Sequence, residues 1–279
     1  MLRMTLLLIA VWVVAAAAAP SNGAGHHCAA ETDINDPDLV IDDCTAAIQS
    51  GELADAHLAV ALNRRGLAYF IKKNYDQAVR DYDRALSLQP SDGPALVRRG
   101  NAYLEKRHYE RALADYEAAT ELNPKVALER SKAFLFFYLG RMTQSAEMFE
   151  KYIKSDPGDL RIVLFRYLAE AKIGNALAAA RELELDAGRL SDRRWPAPII
   201  DFHIGRIDEK AMFAAAHDAD PTKKNEKICA ATFHAGEARL LRANLSAAVP
   251  LLRAAEKDCP PHSSESHAAS TELKRLGVK

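Results

Sequence analysis

The chain has 279 residues, of which 49% are hydrophobic and 27% charged, and its formal net charge is −1. The near-neutral charge provides no basic field that could hold a nucleic acid or an acidic membrane surface, so nucleic acid is excluded as the expected partner. Aromatic residues make up only 7% of the chain and alanine dominates many segments, which favours helices packed on helices over sheets.

Residues 1–24 are typical of a cleaved secretory signal peptide. Arg3 precedes an apolar run from Leu6 to Val14, and a small-residue tract from Ala15 to Ala19 follows it. The apolar run is too short for a membrane span. We therefore expect a soluble, exported chain, periplasmic or secreted, without a transmembrane span after cleavage. A polar segment, residues 25–36, leads into the folded part.

Four cysteines fall into two sequence-local pairs, Cys28 with Cys44 and Cys229 with Cys259. Export permits disulfides. Three connectivities are possible, and the local one is favoured. We expect Cys229 at the start of one helix and Cys259 at the end of the helix that returns antiparallel to it, so that each disulfide staples a terminal hairpin.

Two copies of one unit lie between Ala59 and Pro124. Residues of one type recur at an offset of thirty-four positions: Gly66, Tyr69, Tyr75, Ala78, Tyr82, Ala85 and Pro90 match Gly100, Tyr103, Tyr109, Ala112, Tyr116, Ala119 and Pro124. This period, with small residues where two helices must touch, resembles the tetratricopeptide repeat (TPR). The prediction is an all-α fold, a solenoid of TPR helical hairpins wound as a right-handed superhelix.

The rest of the chain extends this pattern with less regularity. Phe134, Phe136, Phe137 and Tyr138 form an aromatic cluster that we interpret as core. Trp195 lies in a break of the helical pattern and is expected to plug the junction there. The expected segments are a TPR array over 37–186, with clear repeats at 59–92 and 93–126 and degenerate repeats over 126–186, a break or hinge at 187–198, and a C-terminal helical segment, 199–279. That segment contains a TPR-like repeat, 229–262, and a capping helix, Ser264 to Leu276, predicted to be polar on its outer face.

An array of this kind offers a groove lined by the first helices of its hairpins, suited to an extended peptide or a partner helix. The resemblance to TPR domains places these residues in it: Asn63, Arg64, Leu67, Phe70, Ile71, Val97, Arg98, Asn101, Leu104 and Glu105. Asn63, Asn101 and Arg98 match a carboxylate clamp only in part, so we expect a mixed apolar and polar groove. Arg65 and Arg99 are interpreted as repeat-type residues whose charged heads stay in water.

No catalytic motif rises above chance in the sequence, and we expect no enzyme, no cofactor and no metal. The sharpest metal candidate is the group His262, Glu265 and His267. Three such residues can occur in any polar capping segment.

The order of an export signal, two strong repeats, the break and the segment from Trp195 to Ile207, and a final repeat resembles bacterial periplasmic TPR proteins of the new-lipoprotein-I type. The resemblance implies an adaptor, often dimeric, that docks envelope enzymes such as peptidoglycan hydrolases and a processing protease. This chain differs in lacking a lipid-attachment box and in carrying four cysteines.

Three hypotheses follow. The first is a non-catalytic adaptor or scaffold of the cell envelope with protein or peptide partners and a possible homodimeric state. The second is a structural subunit of an envelope assembly or secretion complex. The third is an enzyme with a site in the region 195–234.

Overall fold

The computed structural model of the protein describes Cys28, residues 34–189 and residues 194–278. The expected signal peptide lies outside the described residues. Within them the chain is helical and contains no strand, which confirms the prediction of an all-α solenoid.

The helices follow one another as antiparallel hairpins. Their bounds are α1 Pro37–Gln49, α2 Asp55–Ile71, α3 Tyr75–Leu88, α4 Gly93–Glu105, α5 Tyr109–Leu122, α6 Glu129–Tyr138, α7 Met142–Ser155, α8 Leu160–Glu170, α9 Ala176–Arg189, α10 Ala197–His203, α11 Glu209–Ala215, α12 Pro221–Leu241, α13 Leu245–Asp258 and α14 Ser264–Arg275. A short π-helical turn, Ala171–Asn175, joins α8 to α9.

One left-handed residue marks the turn inside each of the first four complete hairpins. Lys73 and Arg107 have φ of 60° and 59°, and Gly140 and Gly174 have 77° and 97°. The degenerate third and fourth hairpins thus keep the turn geometry of the first two, with glycine in the conformation that it adopts most readily. This residue gives a common register for comparing the hairpins.

The two helices of each clear repeat approach each other closely at a glycine. A Cβ atom added to Gly66 would lie 2.8 Å from Cε1 of Tyr82, and one added to Gly100 would lie 2.7 Å from Cε1 of Tyr116. Both tyrosine rings are fully buried, so they have no room to move aside. The repeated glycine–tyrosine pairs therefore set the distance between the helices.

Replacing Gly66 or Gly100 by alanine should lower the free energy of unfolding by roughly 1–2 kcal/mol. Overpacking against a buried ring costs about 1–3 kcal/mol, which exceeds the gain of about 1 kcal/mol in helix propensity. Gly188→Ala is the matched control, because Gly188 is also helical and no atom lies within 4 Å of its added Cβ. Urea unfolding should show Gly188→Ala neutral or stabilised. Equal behaviour of the three variants would contradict the close approach.

Residues 190–193 of the break predicted at 187–198 lie outside the described residues. α9 continues through Arg189, past the expected boundary at residue 187. Trp195 is half-buried and packs against the core, as expected of a residue that plugs a junction, and its bond to Pro196 is cis. Two short helices, α10 and α11, then lead to the long helix α12.

Both predicted disulfides are present and confirm the local pairing. The Cα atoms of Cys28 and Cys44 are 5.0 Å apart, as are those of Cys229 and Cys259. The expected position of Cys229 at the start of a helix was wrong. Because Asp220 caps the chain ahead of Pro221, α12 begins there and Cys229 lies well inside the helix.

The capping helix α14 differs most from its prediction. Its polar residues were expected on an outer face, but Glu265, Ser266, His267, Thr271 and Glu272 are all buried. The reason is tertiary, because α14 packs against α6 of the array as well as against α12 and α13.

Candidate partner-binding groove

The first of the expected groove residues, Asn63, is buried in a contact between neighbouring repeats. Its Nδ2 atom donates a hydrogen bond of 2.7 Å to Oδ2 of Asp92. The other oxygen of Asp92 accepts from the backbone nitrogen of Ala95 and so caps α4. The Oδ1 atom of Asn63 is buried and has no hydrogen-bond partner within the described part of the chain.

Arg64 and Arg98 lie side by side on consecutive first helices and are half-buried. Burial, and then the positive charge of Arg98, lower the pKa of Arg64 below its ordinary value. The guanidinium of Arg64 nevertheless stays cationic at neutral pH, because the ordinary pKa of arginine is far above it. Two adjacent cations on consecutive first helices attract an anionic group.

A buried hydroxyl lies next to this pair of cations. The hydroxyl of Tyr82 is buried and has no hydrogen-bond partner among the described residues. The hydroxyl of Tyr116, its counterpart one repeat later, donates to Oδ1 of Asn101 at 2.5 Å. Leu67 takes the place of Asn101 in the first repeat and cannot accept a hydrogen bond, which accounts for the difference. Burial raises the pKa of Tyr82, and the charge of Arg98 opposes this shift, so the two groups are within electrostatic reach.

Some of the remaining groove residues pack against the core, and others are exposed to solvent. Phe70, Val97 and Leu104 are half-buried and pack against the core, whereas Ile71 is 47% exposed. Glu105 contacts Nδ1 of His262 and accepts a hydrogen bond of 3.5 Å from the hydroxyl of Tyr75. The groove is therefore closed at Glu105 by the segment that precedes α14.

The charged heads of Arg65 and Arg99 do not stay in water, contrary to the prediction. Arg65 donates two hydrogen bonds to the buried carboxylate of Asp81, at 2.8 and 2.7 Å. Arg99 binds the buried carboxylate of Asp115 in the same way, at 2.9 and 2.7 Å, and also Asp83 of the preceding repeat. In both repeats the arginine precedes its buried aspartate by 16 residues. That shared spacing was the signal in the sequence that could have revealed the pairs.

In the fourth hairpin, Arg166 forms ion pairs of the same kind. This buried guanidinium binds Glu150 of the preceding second helix at 2.8 Å and Glu182 of its own second helix at 2.9 Å. A third bond reaches Asp186, at 2.9 Å. Arginines thus tie the first helices α2, α4 and α8 to the helices on both sides, Arg65 through Thr45 of α1 and Asp81 of α3. They serve the array and are not available to a ligand.

The C-terminal helices pack across the ends of the array's first helices. The rings of Phe165 and Phe233 stack with centroids 5.7 Å apart. The hydroxyl of Tyr109 lies 3.1 Å from Nδ1 of His267. Arg275 donates to the backbone oxygen of Phe137 at 2.7 Å. These contacts leave the groove open mainly along α2 and the first turns of α4.

A buried cluster of charges secures this arrangement. The ammonium group of Lys172, in the π-helical turn, lies 2.7 Å from a carboxylate oxygen of Glu237 and 3.1 Å from one of Glu272. Arg275 binds the same carboxylate of Glu272 at 2.5 Å. Burial raises the pKa of Glu237 to about 7, and Lys172 opposes the shift. The cluster links the array, α12 and α14 at one point.

The region 195–234, where an enzyme site was considered, lines part of a cavity of about 540 Å³ and holds a histidine pair. Nε2 of His203 lies 3.0 Å from Nδ1 of His234. Burial lowers the pKa of His203 to about 3 and lowers that of His234 well below its ordinary value. The hydroxyl of Ser263 caps α14. The cavity is lined by Arg161, Leu164, Trp195, Pro196, Ile199, Lys223, Glu226, Lys227, Cys229, Ala230, His234, Pro260, His262, Ser263 and Glu265.

The three residues considered as metal ligands do not converge. His262 contacts Glu105 and His267 contacts Tyr109, so they engage different partners. Over the described ranges no group of three or more histidine, cysteine, aspartate or glutamate side chains is arranged to hold a metal ion. A separate survey of the helices in these ranges finds none that is long and apolar enough to cross a membrane.

Comparison with known proteins agrees with the hairpin geometry. Residues 59–92 and 94–126 match the family model of the tetratricopeptide repeat. The two matched stretches fall on the hairpins α2–α3 and α4–α5. A solved TPR protein from Parabacteroides merdae ATCC 43184 aligns with a TM-score of 0.57 at 17% identity, over 85% of this chain and 93% of its own. That similarity shows the repeat fold.

Two further solved structures align less well. YrrB, described as a TPR protein with an unusual peptide-binding site, has a TM-score of 0.45 at 16% identity, over 82% of this chain and 99% of its own. The structure of Naa15/Naa10 bound to HypK-THB has a TM-score of 0.41 at 14% identity, over 86% of this chain and 36% of its own.

The buried histidines predict a loss of stability at mildly acidic pH. His203, His234 and His267 have folded-state pKa values below the ordinary 6.5, with that of His267 lowered to about 4, chiefly by burial. The unfolded chain therefore takes up protons as the pH falls below about 6.5, while the folded chain does not. Each histidine should remove up to about 1.4 kcal/mol of stability per pH unit.

Urea midpoints at pH 7 and pH 5 measure this effect. The raised pKa of Glu237 acts in the opposite direction over part of the window, so variants are compared with the wild type. His267→Asn should reduce the loss of stability between the two pH values. The exposed His57, replaced by glutamine, is the control and should leave it unchanged. An undiminished loss in His267→Asn would refute the assignment.

Proposed function

We propose that the protein is a non-catalytic adaptor of the bacterial cell envelope, located in the periplasm, which binds partner proteins through the open part of its repeat groove. TPR proteins generally mediate protein–protein interactions. The disulfides are consistent with export, and the signal-like pattern of residues 1–24 supports the same compartment.

The observation that carries this proposal is a pair of buried polar atoms near Arg64 and Arg98 that lack hydrogen-bond partners within the described residues. Buried polar atoms without a partner are rare and costly in proteins, which makes such atoms candidates for contact with a ligand or water. Here Oδ1 of Asn63 and the hydroxyl of Tyr82 lack partners within the described residues. A peptide carboxylate could bind the two guanidinium groups and accept from the hydroxyl, and a peptide N–H could donate to Asn63.

The apolar side of the groove suits the rest of an extended peptide. Leu67 and Val97 are half-buried next to the arginines, and Ile71 is exposed at the end of α2. Such a surface accepts small apolar side chains beside an acidic group. The partner is thus proposed to present an acidic side chain, or its own C-terminal carboxylate, next to apolar residues.

The same geometry supports a role without catalysis. The polar groups of the region 195–234 that could have formed an active site serve the fold instead. His234 is buried and pairs with the half-buried His203.

Peptide selection tests the groove. Peptides selected from a random display library on the wild-type protein should be enriched in acidic residues or free C-terminal carboxylates beside apolar residues. Fluorescence anisotropy with a selected peptide should show that Arg64→Glu combined with Arg98→Glu weakens binding by at least about tenfold, since it replaces attraction by repulsion. Arg84→Glu, on the exposed side of α3, should bind as the wild type does.

Two outcomes would contradict the proposal. One is retained affinity in the double variant with a native circular dichroism spectrum, and the other is selection of peptides without acidic preference. Crosslinking in the native envelope through a photoreactive residue at position 67, with position 84 as the control site, then tests the compartment. Envelope proteins should be captured only from position 67.

A further inference from the structure

The cavity of about 540 Å³ is formed where distant parts of the chain meet, and it has the size of a small-molecule site. Residues of α8, of α12, of the segment that leads into α10 and of the turn before α14 line it. Cavities that hold small organic ligands in proteins measure about 300 to 1,000 Å³. Among the described residues, the lining has none in common with the predicted groove, so the cavity is a separate site.

A buried carboxylate without an ion-pair partner lines this cavity. Glu265 is 6% exposed and forms no ion pair with any residue that the structure describes. Its hydrogen bond in that part of the chain comes from the hydroxyl of Ser264, at 3.1 Å. Glu265 lies in the first turn of α14, where the helix dipole favours a carboxylate, but this effect is smaller than the cost of removing the charge from water. An ammonium group on a ligand would supply the missing positive charge.

The exposed rim of the cavity, formed by Arg161, Lys223 and Glu226, carries a net positive charge. Arg161 of α8 and Lys223 of α12 form no ion pair with a described residue. Glu226 balances one of these two cations. Lys227 also lines the cavity, but it binds Asp218 at 2.8 Å and is already neutralised. The rim therefore retains one positive charge and two donors that suit a carboxylate.

Apolar side chains make up another part of the lining. Leu164 and Ile199 are buried, and Trp195 and Pro196 are half-buried. The indole ring of Trp195 offers a flat apolar surface that also attracts cations to its face. A ligand that fills this space needs an apolar side chain in addition to its charged groups.

We propose that the cavity binds a small zwitterion with an apolar side chain, which is a free amino acid or a dipeptide. The ammonium group pairs with Glu265, the carboxylate with Arg161 and Lys223, and the apolar side chain packs on Trp195. A simple cation would leave the two rim cations unused. A fatty acid would leave the buried carboxylate unpaired. A ligand with both charges and an apolar part satisfies all three features of the site.

Fluorescence and calorimetry on the purified exported chain test the proposal. Without residues 1–24, Trp195 is the only tryptophan of the chain, so its emission should change when a ligand enters the cavity. The probes are leucine, isoleucine, valine and phenylalanine, and the dipeptides leucyl-leucine and alanyl-phenylalanine. At least one should bind, and its N-acetyl and carboxamide derivatives should each bind at least about tenfold more weakly in calorimetry. The affinities of amino acids and dipeptides show which of the two is the ligand.

Substitutions separate the two charged ends of the site. Glu265→Gln should weaken binding of the zwitterion by at least about tenfold. Glu226→Gln is its matched control and should not weaken binding, because Glu226 lies beside the cations that hold the carboxylate. Lys223→Gln should weaken binding by about threefold, as expected for an exposed ion pair. Its neighbour Lys224 is exposed and does not line the cavity, so Lys224→Gln should have no effect.

Urea unfolding of the ligand-free proteins separates a binding role of Glu265 from a structural one. Glu265→Gln removes a buried charge that lacks a partner, so this variant should unfold at a urea concentration no lower than that of the wild type. A clear loss of stability would mean that the carboxylate serves the fold, and it would overturn the proposal. Circular dichroism of each variant confirms that its helices are intact.

Three binding results would also overturn the proposal. These are the failure of every probe to bind, equal binding of the acetylated or amidated forms, and an unchanged affinity in Glu265→Gln. The site does not depend on the proposed adaptor function, so Arg64→Glu combined with Arg98→Glu should bind the zwitterion as the wild type does. Loss of zwitterion binding in that double variant would contradict the separation of the two sites.

Discussion

The interaction on which the whole arrangement depends is the contact of Lys172 with Glu237 and Glu272. An ammonium group and two carboxylates are removed from water here, and such burial is costly unless every charge is paired with good geometry. Arg275 supplies the second positive charge and balances the cluster. Because its members come from the array, α12 and α14, the favourable pairing exists only when the C-terminal helices lie on the array. Loss of one member would leave an uncompensated buried charge.

The packing of the C-terminal helices on the array explains why the accessible part of the molecule is the part with the regular repeats. The repeats at 59–92 and 94–126 are built by glycine–tyrosine contacts and by paired arginines and aspartates, and Arg64 and Arg98 lie next to each other on their first helices. Further along, the C-terminal helices occupy the inner side. A ligand would therefore meet a short groove with two cations and unsatisfied polar atoms, and not a long open channel.

The sequence was sufficient for the repeats because their constraints are local. A glycine that must approach a ring and a left-handed turn residue recur at a fixed offset, and each acts within about thirty residues. The position of α14 could not be read in this way, since Tyr109 and His267 are separated by 158 residues. The polar composition of α14 resembled a solvated surface, and only the packed partners show that its glutamates and histidine are buried.

The same difference between local and long-range contacts applies to single residues of the predicted groove. Family resemblance predicts that Arg64, Arg98 and Asn63 line the groove, and the structure shows Asn63 in contact with Asp92 of the next repeat. The resemblance did not indicate that Asn101 is engaged by Tyr116, or that Glu105 is engaged by His262. Tyr116 belongs to the same repeat as Asn101, whereas His262 lies 157 residues from Glu105, so that second contact needs the assembled structure.

Hydrogen exchange of the variant Lys172→Met, followed by mass spectrometry, tests the closure most directly. Removing the shared ammonium leaves two buried carboxylates without their central partner, so the C-terminal helices should open locally. Amides of α14 should exchange about tenfold faster or more than in the wild type, while those of α3 to α5 should keep their protection and serve as the internal reference. Unchanged protection of α14 in the variant would contradict the role assigned to Lys172.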